Sequence, residues 1–414
     1  MHQIFSLLFV LFFCTGYCQE NISGNEMLSP AQNNLLPPEF TLFDTTIITG
    51  AEQMQVYLPI IKNKYVGLVV NQTSVVHQTH LVDTLLKLGV KISLIFAPEH
   101  GFRGTEDAGA AISNAKDART GISVLSIYGN KKKPAAGDLQ DIDVLIFDIL
   151  DAGARFYTYI STLHYVMEAC AENKKPLIIL DRPNPNGFYV DGPVLHNGFQ
   201  SFVGMHPVPV VHGMTIGEYA QMINGEYWLP DSLQCDIQII PCVQYDHTDF
   251  YEVKIPPSPN LKTMRAIYLY PSLCLFEGTN VSVGRGTDKP FEVFGSPDIA
   301  KTEFNFIPQS GPGAKVPVFM NEICYGYDLS QLDVSTLREQ QLTLIYLINV
   351  YNLFHDKGEF FLTNNFFNKL AGNDVLIKQI QAGLTEDEIR LTWQQDLLSF
   401  KQVRKKYLLY PDFE

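Results

Sequence analysis

From Tyr65 onward the chain alternates short apolar runs with amphipathic segments, and that alternation limits the fold more than any other feature. Residues 65–70 (YVGLVV), 91–97 (KISLIFA), 143–149 (DVLIFDI) and 176–180 (PLIIL) are apolar almost throughout. They lack the polar alternation of a half-exposed strand, so each reads as a strand buried on both faces. Residues 122–127 read as a further strand. Between these runs, 80–88 has helical spacing and stops at Gly89, and 160–173 reads as another helix. Repeated strand–helix units of this kind build a parallel sheet covered by helices. The expected fold class is therefore α/β, with a Rossmann-like parallel-sheet domain over residues 45–230. No GxGxxG follows the first strand, so a dinucleotide is not expected, and no other cofactor is called for.

Beyond about residue 230 the rhythm changes. Tyrosine- and proline-rich stretches, a glycine-rich segment at 278–286 and short strand-like runs predict a smaller α+β auxiliary domain over 231–414. It closes with a helix: Thr385 and Glu388 form a capping box, and Ile389, Trp393, Leu397 and Phe400 recur at helical spacing.

The beginning of the chain bears on compartment. Residues 1–18 read as a signal peptide, with an apolar run (IFSLLFVLFF) too short to cross a bilayer, which needs about 20 apolar residues. Lipidation at Cys14 or Cys18 ranks second, because Phe13 and Tyr17 stand where small residues are expected. Residues 19–44 are polar and proline-bearing and read as a mobile leader. No later segment is apolar enough to span a membrane. The expectation is an exported protein, periplasmic or extracellular.

A formal net charge of -14, with no basic block beyond Lys131-Lys132-Lys133, argues against nucleic acid as a partner. Oligomeric state is left open. Cys170, Cys235, Cys242, Cys274 and Cys324 are scattered and make no disulfide scaffold, although Cys235 and Cys242 could pair; buried free thiols are the other reading. No CxxC, HExxH or cysteine–histidine cluster marks a metal site.

In open parallel sheets ligands bind outside the carboxyl ends of the strands. Here those ends are polar throughout. The first runs into Asn71-Gln72-Thr73, the second into Glu99-His100 and then Arg103. The fourth ends in Asp148 and Asp151 followed by Arg155, and the next in Asp181-Arg182. Any one of these could be a helix cap or a turn former, but together they point to a site. The later segments Glu277-Gly278-Thr279-Asn280 and Gly284-Arg285-Gly286-Thr287-Asp288 add a second candidate rim, in which glycines would let the backbone approach a ligand. It is not a P-loop, since Gly-Lys-Ser/Thr is missing.

At these residues the chain resembles the NamZ exo-β-N-acetylmuramidases, a family that includes YbbC-like proteins. The matching stretches are GLVVNQTSV, FAPEHGFRG, VLIFDILDAGARFYTYISTL, LDRPNPNG, DGPVL, VHGMTIGE, FEGTNVSVGRGTDKPFEVFGSP and the terminal LAGNDVLIKQIQAG to KYLLYPDF. They run from about Tyr65 to the C-terminus. The resemblance implies a Rossmann-like domain joined to an auxiliary one, an active site in the cleft between them, and removal of non-reducing terminal N-acetylmuramic acid from peptidoglycan fragments.

Glycoside hydrolysis usually needs two carboxyl groups. Glu99 is the first choice for the acid, because the end of an apolar strand is partly desolvated. Asp148, Asp151 and Glu277 are candidates for the second, with the alternative that Asp148 or Asp181 only orients His100 or Arg155. The lactyl carboxylate of muramic acid calls for a cation, and Arg103, Arg155, Arg182 and Arg285 are candidates, Arg285 foremost. Asn71, Asn280 and His212 could meet hydroxyls or the acetamido group, and Tyr157 and Tyr159 the ring. Three rivals remain open: a peptidoglycan-binding protein without catalysis, a hydrolase of another amino sugar, and an esterase or amidase. The last lacks a GxSxG elbow.

Overall fold

The computed structural model describes residues 46–103 and 115–414; the candidate signal peptide and leader lie outside the described residues. The strands of the larger sheet are β1 (Tyr65–Val70), β2 (Lys91–Ala97), β3 (Ala115–Lys116), β4 (Ser123–Ser126), β5 (Val144–Asp148), β6 (Leu177–Leu180) and β7 (Ile237–Ile240). Their spatial order is β3-β4-β2-β1-β5-β6-β7. The short edge strand β3 runs antiparallel to β4, and every other pairing is parallel. Numbered among themselves, the parallel strands lie 3-2-1-4-5-6, the Rossmann order, whose direction of winding reverses between β1 and β5.

Alternation along each strand explains why the runs are apolar. Val66, Leu68 and Val70 of β1 join a cluster with α1 (Met54–Ile61) and α2 (Leu81–Lys87) on one face. Val69 and, from β5, Leu145 and Phe147 join the cluster containing α3 (Tyr159–Asn173) and α4 (Ile216–Gly225) on the other. With both faces covered, each fully buried aliphatic or aromatic side chain contributes roughly 1.5–3 kcal/mol, so polar residues are displaced to the strand ends.

A second sheet is antiparallel, with β8 (Val293–Ser296), β9 (Asn305–Phe306) and β10 (Cys324–Asp328) in the order β8-β10-β9. The same part of the chain forms α5 (Met264–Leu273), α6 (Val334–Gln340), α7 (Ile345–Leu353), α8 (Phe366–Ala371) and α9 (Val375–Gln381). The last helix, α10 (Glu386–Arg404), starts at the expected capping box: Thr385 N donates to Glu388 Oε2 at 2.8 Å, and Glu388 N to Thr385 Oγ1 at 3.3 Å. Its stripe of Ile389, Trp393, Leu397 and Phe400 is buried.

The sequence-based boundary at residue 230 falls too early for the sheet. Strand β7 lies beyond it and pairs with β6, and the C-terminal tail returns to the same region. There the Tyr410 hydroxyl donates to Asp181 Oδ2 at 2.6 Å, at the end of β6. One hydrophobic cluster runs from Phe147 and Leu163 through Tyr270 and Phe294 to Trp393. All five cysteines among the described residues are free and buried, so Cys235 and Cys242 are not joined. No helix among the described residues is long and apolar enough to cross a membrane.

Candidate active site

The loop after β1 is tied to the end of β5 where the winding reverses. Asn71 Oδ1 accepts from Thr73 N at 2.9 Å and from Thr73 Oγ1 at 2.6 Å. Thr73 Oγ1 in turn accepts from Leu150 N at 3.0 Å, and Ser74 Oγ donates to the Asp148 carbonyl. Sequence spacing placed these residues at strand ends; the hydrogen bonds hold two adjacent ends as one edge.

Glu99, half-buried just beyond β2, stands at this edge. Its Oε2 accepts from Thr158 Oγ1 at 2.8 Å, and the Tyr128 hydroxyl hydrogen-bonds the same carboxyl. Tyr159 OH reaches the Glu99 carbonyl at 3.4 Å and the Pro257 carbonyl at 3.2 Å. Burial, with the Glu99 carboxylate second, pushes the phenols of Tyr128 and Tyr159 well up, so both remain protonated donors. Thr158 and Tyr128 escaped the sequence reading, which looked for charged and amide residues. The signal was present for Tyr128, which lies two residues beyond β4, and absent for Thr158, which reads as an ordinary helix cap.

Asp151 lies deeper, 5 % exposed. Its Oδ2 accepts from Gly153 N at 2.7 Å, whereas Oδ1 is buried without a partner. Burial raises its carboxyl to about 7. Gly153 has φ +78°, and a Cβ there would lie 2.1 Å from Asn184 Oδ1, so only glycine fits. His212 Nδ1 accepts from Met214 N at 3.2 Å, which puts the proton on Nε2, a nitrogen 3.9 Å from Asp151 Oδ2. Burial, with Arg404 and Arg155 adding to it, lowers this imidazole to about 3, so it is neutral. Tyr157 OH is also buried without a partner and packs edge-on against Tyr159 and Tyr270.

The other candidate carboxyls are engaged. Asp148 is fully buried, with Oδ1 2.5 Å from Arg182 Nε and Oδ2 3.0 Å from Arg182 Nη2. That two-pronged pair, with Arg182 also donating to the Val75 carbonyl, makes Asp148 and Arg182 parts of the scaffold. Glu277 Oε1 accepts from Arg285 Nε at 2.6 Å. Asp181 accepts from Tyr410, Thr215 Oγ1 and Gly217 N, and burial raises it to about 6. It orients neither His100 nor Arg155.

The arginines separate sharply. Arg155, expected as a substrate ligand, is completely buried and donates at 2.7 Å to each of the Pro193, Val208 and Leu370 carbonyls. Burial lowers its guanidinium to about 9, and no carboxylate stands opposite it. It ties the first sheet's loops to the C-terminal helices and cannot meet a sugar. Arg103 is exposed and pairs with Asp117 at 3.1 Å. Arg285 is half-buried, lies over the Phe291 ring, and is near enough to Tyr128 to oppose the rise of that phenol. Of the four arginines it is the one that the geometry brings towards Glu99.

Its flanking glycines serve packing. At Gly286 (φ +82°) a Cβ would lie 2.5 Å from the Gln309 carbonyl. Asn280 turns to the 359–361 segment, its Nδ2 donating to the Glu359 carbonyl at 2.5 Å. His100 is buried with φ +67°, and Asp288 is exposed on the wall of a cavity of about 770 Å³. Gln72, whose Nε2 donates to the Pro256 and Pro257 carbonyls at 3.0 and 2.9 Å, forms another part of that wall.

Comparison with known proteins agrees with this fold. Residues 66–265 match the N-terminal, and residues 268–410 the C-terminal, model of exo-β-N-acetylmuramidase NamZ. The chain is 38% identical over 374 residues to the peptidoglycan β-N-acetylmuramidase NamZ of Bacillus subtilis, covering 86% of this chain and 89% of that one. A crystal structure of a DUF1343 family protein from Bacteroides fragilis superposes with a TM-score of 0.83 at 47% identity, over 89% of this chain and 99% of that chain. A second from the same organism gives 0.71 at 29% identity, over 88% and 99%. The chain belongs to the NamZ exo-β-N-acetylmuramidase family.

Proposed function

We propose that the protein is a glycoside hydrolase that releases N-acetylmuramic acid from the non-reducing ends of peptidoglycan fragments. The observation that carries this reading is the Glu99 carboxyl, held by Thr158 and Tyr128 at the carboxyl edge of the sheet with Arg285 close by. Glu99 protonates the glycosidic oxygen as the bond to the anomeric carbon breaks, and water completes the hydrolysis. Of the remaining candidate carboxyls, Asp151 accepts no arginine and titrates near neutrality, which supports it as the second group. Arg285 meets the lactyl carboxylate, the feature that distinguishes muramic acid from glucosamine.

The leader sequence supports a reaction outside the cytoplasm, where peptidoglycan fragments arise; fractionation of a tagged full-length chain tests that. The activity itself is tested with 4-nitrophenyl β-N-acetylmuramide and the matching N-acetylglucosaminide. Nitrophenol release from the muramide alone, lost in Glu99→Gln, supports the reading. Binding of a muropeptide without release of any sugar would replace it with that of a binding protein.

A further inference from the structure

We propose that the cavity of about 770 Å³ is the leaving-group subsite, built to hold an uncharged N-acetylhexosamine while the muramic residue sits at Glu99. The inference rests on the muramidase reading and extends it to the other side of the scissile bond.

Position is the first argument. Neither Glu99, Tyr128 nor Thr158 lines the cavity, but residues of its wall adjoin residues of the same edge. Gln72 follows Asn71, Gly286 follows Arg285, and the Pro257 carbonyl, one of the two that hold the Gln72 amide, also accepts from Tyr159 OH. The inner end of the edge is closed by buried residues, Asp151 and Tyr157 among them, whereas Lys262, Gln309 and Ser310 on the cavity wall are exposed. An enzyme that removes one terminal sugar needs this asymmetry: a blind end for the released residue and an open side for the rest of the glycan.

Chemistry is the second. The cavity's ionisable groups are one acid, Asp288, and one base, Lys262, so its charge balances. Phe306 and Ile307 add an apolar surface of the kind that meets the C–H face of a sugar, and Gln309 an amide for hydroxyls. A neighbouring cavity of about 380 Å³ differs, carrying Lys87, Arg103 and Arg119 against Asp83, and suits an anion. In peptidoglycan the sugar that follows muramic acid is the uncharged one. The size lies within the range of about 300–1,000 Å³ that small-ligand sites occupy.

Preorganisation is the third. Gln309 N donates to the Gly286 carbonyl at 2.8 Å, Thr287 Oγ1 to the Gly284 carbonyl at 2.7 Å, and Asn321 N to the Pro308 carbonyl at 2.8 Å. The two loops that face Gln72 are thus fastened to each other before any ligand arrives.

The test compares kcat/KM for 4-nitrophenyl β-N-acetylmuramide with that for the disaccharide N-acetylmuramyl-β-1,4-N-acetylglucosamine. The wild-type chain and the variants Gln309→Ala and Phe306→Ala are used, with melting temperatures to verify folding. The loss on the disaccharide is expected to exceed that on the nitrophenyl substrate by about tenfold, the effect of one lost polar or stacking contact. Equal losses on both substrates, or none on the disaccharide, would overturn the subsite while leaving the muramidase reading standing. A wild-type chain that cleaves neither substrate would overturn that reading, and the subsite with it.

Discussion

Thr158 Oγ1 donates a 2.8 Å hydrogen bond to Glu99 Oε2 instead of capping the helix that it precedes. Thr158 enters α3, and Glu99 leaves β2, so the contact joins two separate sheet ends around one carboxyl. A cap is typically worth ~1 kcal/mol of stability, and here the hydroxyl is used to orient an acid.

Glu99→Gln removes the proposed proton donor while keeping the shape. Hydrolysis of the muramide is expected to fall by roughly 10²–10⁴ in kcat, the usual contribution of general acid catalysis. Thr158→Val is expected to lower kcat about tenfold with KM little changed, since it loosens the acid without touching the sugar pocket. Steady-state nitrophenol release measures both, and a Glu99→Gln variant of full activity would remove Glu99 from the mechanism.

Arg285→Ala should cost the muramide about 100-fold in kcat/KM, as the loss of a charged hydrogen-bonding partner suggests. A chromogenic glucosaminide, which has no lactyl group, should lose much less. The measurement is the ratio of the two losses. A ratio near one would mean that Arg285 serves Glu277 and the loop rather than the substrate.

Arg155→Met should act on stability. It strands the Pro193 and Leu370 carbonyls in the interior, where each unsatisfied group costs about 1–3 kcal/mol, and leaves the Val208 carbonyl with only its bond from Leu195 N. Urea denaturation is expected to show a loss of about 3 kcal/mol or more, with the KM of the folded fraction unchanged. A selective rise in KM would return Arg155 to the substrate pocket.

Asp151 gives a pH dependence whose sign is fixed. Its carboxyl titrates near 4 in an unfolded chain and at about 7 when buried, so the folded protein binds the extra proton between those values. Its contribution to stability is therefore full below about pH 4 and lost as pH rises through about 7. Relative to wild type, Asp151→Asn should become progressively more stable over that interval, by about 4 kcal/mol at most, and level off above it. Chemical denaturation of both proteins at several pH values measures the difference. A difference that stays flat with pH would show that Asp151 is ionised throughout.

How far the sequence reaches is visible residue by residue. It fixes β1 and β2 to their observed bounds, because a strand covered on both faces must be apolar along its whole length. It fixes the start of α10, because a capping box is a local device of four residues. It carries the family in its ordered motifs, and it puts polar residues at the strand ends. It misses β7, a short run whose partner β6 lies some sixty residues earlier in the chain, and so misplaces the edge of the sheet. It cannot tell Arg155 from Arg285, each of which lies within two residues of a glycine. One faces three carbonyls in the interior and the other faces Glu277 near Tyr128. Nor can it show that Asp148 is taken by Arg182 while one oxygen of Asp151 is buried without a partner. Periodicity and capping depend on neighbours in the chain, and those the sequence by itself determined. Which carboxyl is neutralised, which arginine lies near Tyr128 and which is sealed in the interior, and where the cavity opens depend on groups that meet only when distant segments pack, and those only the tertiary structure decided.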